Sequence, residues 1–183
     1  MEELEMCMLE AEENMDKAIE RYEHELSTVR TGRASANLLD SIFVNYYGVP
    51  TPVKQLASIS IPEANQIYIK PYDKSSIKDV EKAITASPLG LTPQSDSTGI
   101  RLVLPKMTEE RRKELVKVVN KMEEGAKVAV RNVRRDANDA IKKLSLPEDD
   151  EKNALEDIQK LTDQKIEKVS DITEIKNKDL MSI

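Results

Sequence analysis

Seven of the eight prolines lie between Pro50 and Pro105, and the eighth is Pro147. Proline lacks a backbone N–H, and its ring clashes with the preceding helical turn. The distribution therefore bars long helices from the middle of the chain and allows them on both flanks. The flanks carry the matching pattern. Leu4, Met8, Ala11, Met15, Ala18, Tyr22, Leu26 and Val29 recur at the steps of one buried helical stripe, with no Pro or Gly before Gly32. A second helix is expected after Pro105-Lys106, with Thr108 able to cap it and Glu109 and Glu110 at its positive end. Its stripe runs through Leu115, Val119, Met122, Ala126, Ala129, Val133, Ala140 and Leu144, on the order of 50 Å of helix. Pro147 suits the first turn of a third helix, where its missing donor costs little. That stripe is Leu155, Ile158, Leu161, Ile166, Val169, Ile172 and Ile175, and the tail KNKDLMSI is expected to fray. Glu148 to Glu151 read as helix-end electrostatics rather than a metal site.

The middle reads differently. Gly32 can end the first helix. Residues 42–47 form a strand ended by Gly48 and Pro50. Further strands are expected at 57–61, 66–70 and 100–104, with a short helix at 76–86. Five of the six aromatics fall between Phe43 and Tyr72. They are read as core, because no dense basic run interleaves them as a base-stacking platform would require. Three amphipathic helices bury their stripes most simply as one bundle. The fold class is thus α+β: residues 1–30 and 106–183 form an elongated three-helix bundle, and residues 31–105 a small inserted domain. Only two crossings join them, at Thr31-Gly32 and Leu104-Pro105, so relative motion is expected.

The formal net charge of -6 argues against bulk binding to nucleic acid. The average conceals an excess of base between Arg101 and Lys143, 13 Lys and Arg against 7 Asp and Glu. On a helical projection Lys127, Arg131, Arg134, Arg135 and Lys142 share one outer stripe with Asn138, and Asp136 and Asp139 lie to one side. Arginine presents a planar fork of donors matched to phosphate oxygens. Such a stripe suits a local, oriented phosphate contact, although charge geometry alone leaves it level with a solvated face.

Other chemistry has little support. The single Cys7 has no metal-spaced partner and permits no internal disulfide. His24, the only histidine, lies between two glutamates and reads as a solvated surface residue. There is no phosphate-cradling glycine loop and no nucleophile with an evident base. The chain is expected to be no enzyme and to need no metal or cofactor. No apolar run is long enough to span a membrane, and the acidic N-terminal stretch resembles no secretory signal, so a cytoplasmic protein is expected. Two binding classes remain open on pattern alone: a helical adaptor for structured RNA, and a coiled-coil protein that dimerises through its helices.

Motifs narrow the choice. VRNVRRDAND (130–139), RTGRAS (30–35), YYGVPTPVKQLASI (46–59), ASPLGLTP (86–93), TEERRKEL (108–115) and LTDQKI (161–166) resemble the ribosome recycling factor family. They occur in that family's order from about residue 14 onward. The resemblance implies a three-helix bundle and an inserted β/α/β domain set in an L, resembling transfer RNA in outline. It implies a monomeric cytoplasmic factor that binds the post-termination ribosome. With elongation factor G and GTP, such a factor splits the ribosome into subunits and releases messenger and transfer RNA. It also implies that Arg131, Arg134 and Arg135, with Lys127 beside them, contact ribosomal RNA of the large subunit, Arg134 foremost. Arg30, Thr31, Gly32 and Arg33, with Leu104 and Pro105, would form the hinge.

Overall fold

A computed structural model of the chain describes residues 2–182. It divides into two compact units, one comprising the residues up to Arg30 with Glu109–Ser182, the other Thr31–Thr108.

The first unit is three long helices: α1 (Glu2–Ser27), α4 (Glu109–Lys143) and α5 (Glu148–Met181). Periodicity locates all three, but their buried lines differ from the expected stripes. In α1 the buried side chains are Ala11, Met15, Ile19, Tyr22 and Leu26. In α4 they are Val119, Ala126, Val130, Ala137 and Ile141, whereas Ala129, Val133, Ala140 and Leu144 are half-buried. The burial axis of α4 is turned by roughly 40° from the expected stripe, because two helices lean on it from different sides. Its flank of Ala129, Val133 and Ala140 faces a shallow cleft against Cys7, Asn14 and Ala18 of α1.

α5 departs furthest. Thr162 and Thr173 occupy core positions, and Ile175 is 63% exposed. Each threonine returns its hydroxyl proton to the carbonyl four residues earlier, Thr162 to Ile158 at 2.7 Å and Thr173 to Val169 at 2.9 Å. That bond makes a buried hydroxyl tolerable. Because the Thr173 proton is already committed, the buried Tyr22 hydroxyl of α1 donates to its Oγ1. Burial pushes the Tyr22 phenol above its ordinary range, and the Thr173 bond moderates the rise. A second tie joins the same helices: Lys165, 13% exposed at its side chain, lies 2.6 Å from Asp16. The tail expected to fray is helical to Met181, with Leu180 fully buried.

The second unit is built on short strands. β1 (Phe43–Tyr46) and β2 (Val49–Pro52) form a hairpin. After the short helical turn α2 (Val53–Leu56) come β3 (Ala57–Glu63), β4 (Gln66–Pro71), α3 (Ile77–Thr85), β5 (Gln94–Ser95) and β6 (Ile100–Val103). The four later strands form an antiparallel sheet in the order β3-β4-β6-β5. Gly48 and Pro50 were expected to end a strand; Gly48 does so by turning the chain, whereas Pro50 lies within the returning strand β2. Tyr47 and Gly48 both hold positive φ, +49° and +82°, as a tight hairpin turn requires. Pairs alternate outward from the bonded Tyr46–Val49 pair, so Pro50 and Pro52 fall opposite Asn45 and Phe43 where no N–H is needed.

Leu39, Val44, Val53, Ile67, Ile69, Val80, Ile84, Ile100 and Leu102 make the core of this unit. Its aromatics are not there, contrary to expectation. Phe43, Tyr47 and Tyr72 are 56%, 83% and 74% exposed, and Tyr46 and Tyr68 are half-buried. Strand alternation explains the outcome: Ile67 and Ile69 take the inner face, which sends Tyr68 outward. The β5–β6 turn is held by the Asp96 carboxylate, which accepts from the Thr98 and Gly99 amides at 2.7 and 2.9 Å. A further bond from the Thr98 hydroxyl at 2.7 Å does most to hold its pKa below the usual range, aided by the two amides, as bonds from Ser75 do for Asp73. Gly99 has no room for a side chain: a Cβ there would lie 2.5 Å from the Ile69 carbonyl oxygen.

Candidate nucleic-acid interface

Lys127, Arg131, Arg134 and Arg135 all project from the middle of α4, which regular helix geometry brings together over two turns. Their surroundings are unequal. Lys127 Nζ lies 2.9 Å from Glu123, and both side chains are only about one-fifth exposed. Arg131 reaches back to Glu124 at 3.2 Å. The stripe therefore does meet acids: the carboxylates one and two turns toward the N-terminus neutralise its first half. Asp136 and Asp139, the acids nearest in sequence to the arginines, form no ion pair among the described residues.

The second half is different. Arg134 is half-buried beside α5, where its Nη1 donates to Gln159 Oε1 at 2.9 Å. Gln159 Nε2 in turn donates to Asp163 Oδ1 at 2.8 Å. Arg134 Nε is buried without a partner, and so is Asn138 Oδ1 one turn on. The Arg135 side chain is exposed and forms no ion pair or hydrogen bond among the described residues; the same holds for the side chains of Lys142 and Lys143. Cations at this end are also favoured by the negative pole of the helix. Of the cations in the stripe, those without a carboxylate partner are thus Arg134, Arg135 and Lys142.

Gln159 and Asp163 escape a reading of α4 alone, because they come from another helix. Their only local signal is the Gln-x-x-x-Asp spacing, which puts both on one face of α5.

Of the residues expected to form a hinge, Arg30 and Thr31 stand at one boundary between the units, whereas Leu104 and Pro105 lie within the second unit, which runs on to Thr108. Gly32 has φ +72°, a conformation that favours glycine. The Arg33 amide donates to Thr31 Oγ1 at 3.4 Å. Ala34 N–H donates to Ala64 at 2.7 Å, and Leu104 N–H to Asn65 at 2.8 Å. Asn65 Nδ2 also donates to the Leu104 carbonyl at 3.3 Å. Both crossing segments are therefore anchored to the turn between β3 and β4, just inside the second unit. Pro105 follows that anchor, with its carbonyl oxygen 3.8 Å from where a Gly32 Cβ would stand.

Among the described residues no cluster of His, Cys, Asp and Glu is arranged to hold a metal ion. No helix among them is long and apolar enough to cross a membrane.

Comparison with known proteins agrees with this architecture. The family model for ribosome recycling factor matches residues 22–181. The ribosome-recycling factor of Acholeplasma laidlawii is 56% identical over 182 residues, covering 100% of this chain and 99% of that protein. That of Bacillus subtilis is 53% identical over 180 residues, covering 96% and 97%. A solution structure of ribosome recycling factor superposes with a TM-score of 0.80 at 46% identity over 100% of both chains. A T. thermophilus ribosome recycling factor, bound with E. coli elongation factor G to the E. coli post-termination complex, matches with a TM-score of 0.64 at 38% identity, covering 97% and 98%. With sequence and fold agreeing along nearly its whole length, this chain belongs to the ribosome recycling factor family.

Proposed function

We propose that the chain is a ribosome recycling factor in action as well as in family: it binds the post-termination ribosome and, with elongation factor G and GTP, splits it into subunits. Messenger RNA and the last transfer RNA then leave. The observation that carries this reading is the full-length match to proteins of that name. Models for one such relative place it on a post-termination complex together with elongation factor G. The setting is the cytoplasm, where those ribosomes are.

Within that function the bundle is the RNA-contacting arm and the second unit the moving part. Arg134 and Arg135 supply guanidinium forks to phosphate oxygens of large-subunit RNA, which fixes position without reading bases. Lys127 and Arg131, already paired, contribute less. The hinge lies outside the Ala34 and Leu104 anchors, in Arg30 to Arg33 and from Pro105 onward. The factor performs no covalent chemistry; nucleotide hydrolysis belongs to its partner.

Light scattering of bacterial post-termination ribosomes tests the reading. A fall that requires the protein, elongation factor G and GTP together is the expected result. Sedimentation with the ribosome but no fall in scattering would leave a binding protein without the recycling activity.

A further inference from the structure

Arg134 and Gln159 carry a feature that neither the family nor the stripe explains. Arginine only donates hydrogen bonds, and an ionised carboxylate only accepts them. Gln159 stands between the two, so its amide has one orientation: Oε1 toward Arg134 at 2.9 Å, Nε2 toward Asp163 at 2.8 Å. The other two paired cations of the stripe use carboxylates, Glu123 and Glu124. A carboxylate that holds a cation also cancels its charge. A neutral amide holds it and leaves the charge whole. The remaining edge of Arg134 is available, because Nη2 makes no bond within the protein and, unlike Nε, is not among the buried unpartnered atoms.

We propose that Gln159, itself fixed by Asp163, is a positioning residue: it holds the Arg134 guanidinium with its outer edge toward an RNA phosphate while leaving its positive charge uncompensated. The proposal rests on Arg134 contacting ribosomal RNA, as inferred above. Asp163 completes the arrangement at a distance, orienting the amide while lying beyond it from the arginine.

The experiment measures affinity for bacterial large ribosomal subunits across a salt series, with thermal unfolding of each variant alongside. Arg134→Ala should weaken binding about 5- to 150-fold and flatten the salt slope by just under one contact. Gln159→Ala should weaken binding about 3- to 10-fold, because the fork is freed among several rotamers. It should leave the salt slope unchanged, since the charge stays. In an Arg134→Ala background the Gln159→Ala change should have no further effect. Gln159→Glu should bind more weakly than Gln159→Ala and flatten the salt slope, because its carboxylate neutralises the arginine. Wild-type affinity in Gln159→Ala, or an equal loss with and without Arg134, overturns the proposal. So does a lowered melting temperature with no change in binding, which marks a purely structural residue. If Arg134→Ala itself binds normally, the RNA-contact reading fails first and this proposal falls with it.

Discussion

The two units distribute polar and aromatic groups in opposite ways. In the bundle, polar side chains join one helix to another: Tyr22 to Thr173, Lys165 to Asp16, Arg134 to Gln159. In the second unit, polar side chains mostly serve turns, as Asp73 and Asp96 do, and three of five aromatics stand largely in water. The bundle's surface chemistry is therefore set by helix pairing, and the small unit's by strand alternation. The proposed phosphate contact lies on the bundle, where Arg134 and Arg135 share one face of α4 and neither meets a carboxylate.

The largest effect should come from exchanging the two surfaces. Arg134→Ala with Arg135→Ala should cost about 1–3 kcal/mol of ribosome affinity per residue, the scale for a charged hydrogen bond whose partner is left unpaired. Tyr47→Ala with Tyr72→Ala should leave affinity for the isolated large subunit unchanged. Equal losses in the two double variants, measured by equilibrium binding, would break the contrast. Within the stripe, Lys127→Ala should fall well short of Arg134→Ala, because Glu123 already offsets that charge.

Next in size is the backbone of the small unit. Gly99→Ala forces a methyl group against a carbonyl oxygen and should destabilise that unit by about 1–3 kcal/mol. Hydrogen exchange should show the loss in β4 and β6, with the bundle unaffected; uniform loss through both units would mean that they unfold together.

Tyr22→Phe removes the phenolic donor to Thr173 and should cost about 1 kcal/mol in thermal unfolding. A smaller loss after Thr173→Val than in the wild-type background would show that the two hydroxyls act as a pair. Independent, additive losses would remove the bond as the cause.

The smallest effect separates the units by acid. Asp73 and Asp96 have lowered pKa values when folded, so they bind fewer protons folded than unfolded near their titration range. Their contribution is complete above the ordinary aspartate value of about 4 and is lost as pH falls through the lowered folded value. Asp96→Asn should flatten the acid dependence of the small unit's stability. An unchanged acid profile would show that the turn bonds contribute nothing there.

Much of this architecture follows from local pattern. Proline placement and period-3.6 stripes determined the three helices and the inserted unit, because helical burial repeats within a few residues of chain. The basic stripe was legible for the same reason: Lys127, Arg131, Arg134 and Arg135 lie on one face of one helix whatever surrounds it. Alternation likewise marked β3, β4 and β6. The hairpin strand β2 was hidden behind two prolines that are acceptable only because their positions need no N–H. The outward aromatics, the threonines in the α5 core and the exposed Ile175 depended on which element lies opposite each face. So did the distinction within the stripe. The sequence by itself determined where the cations stand, since a helix sets that alone; only the tertiary structure decided which keep their charge, since Gln159 meets Arg134 when α5 folds back along α4.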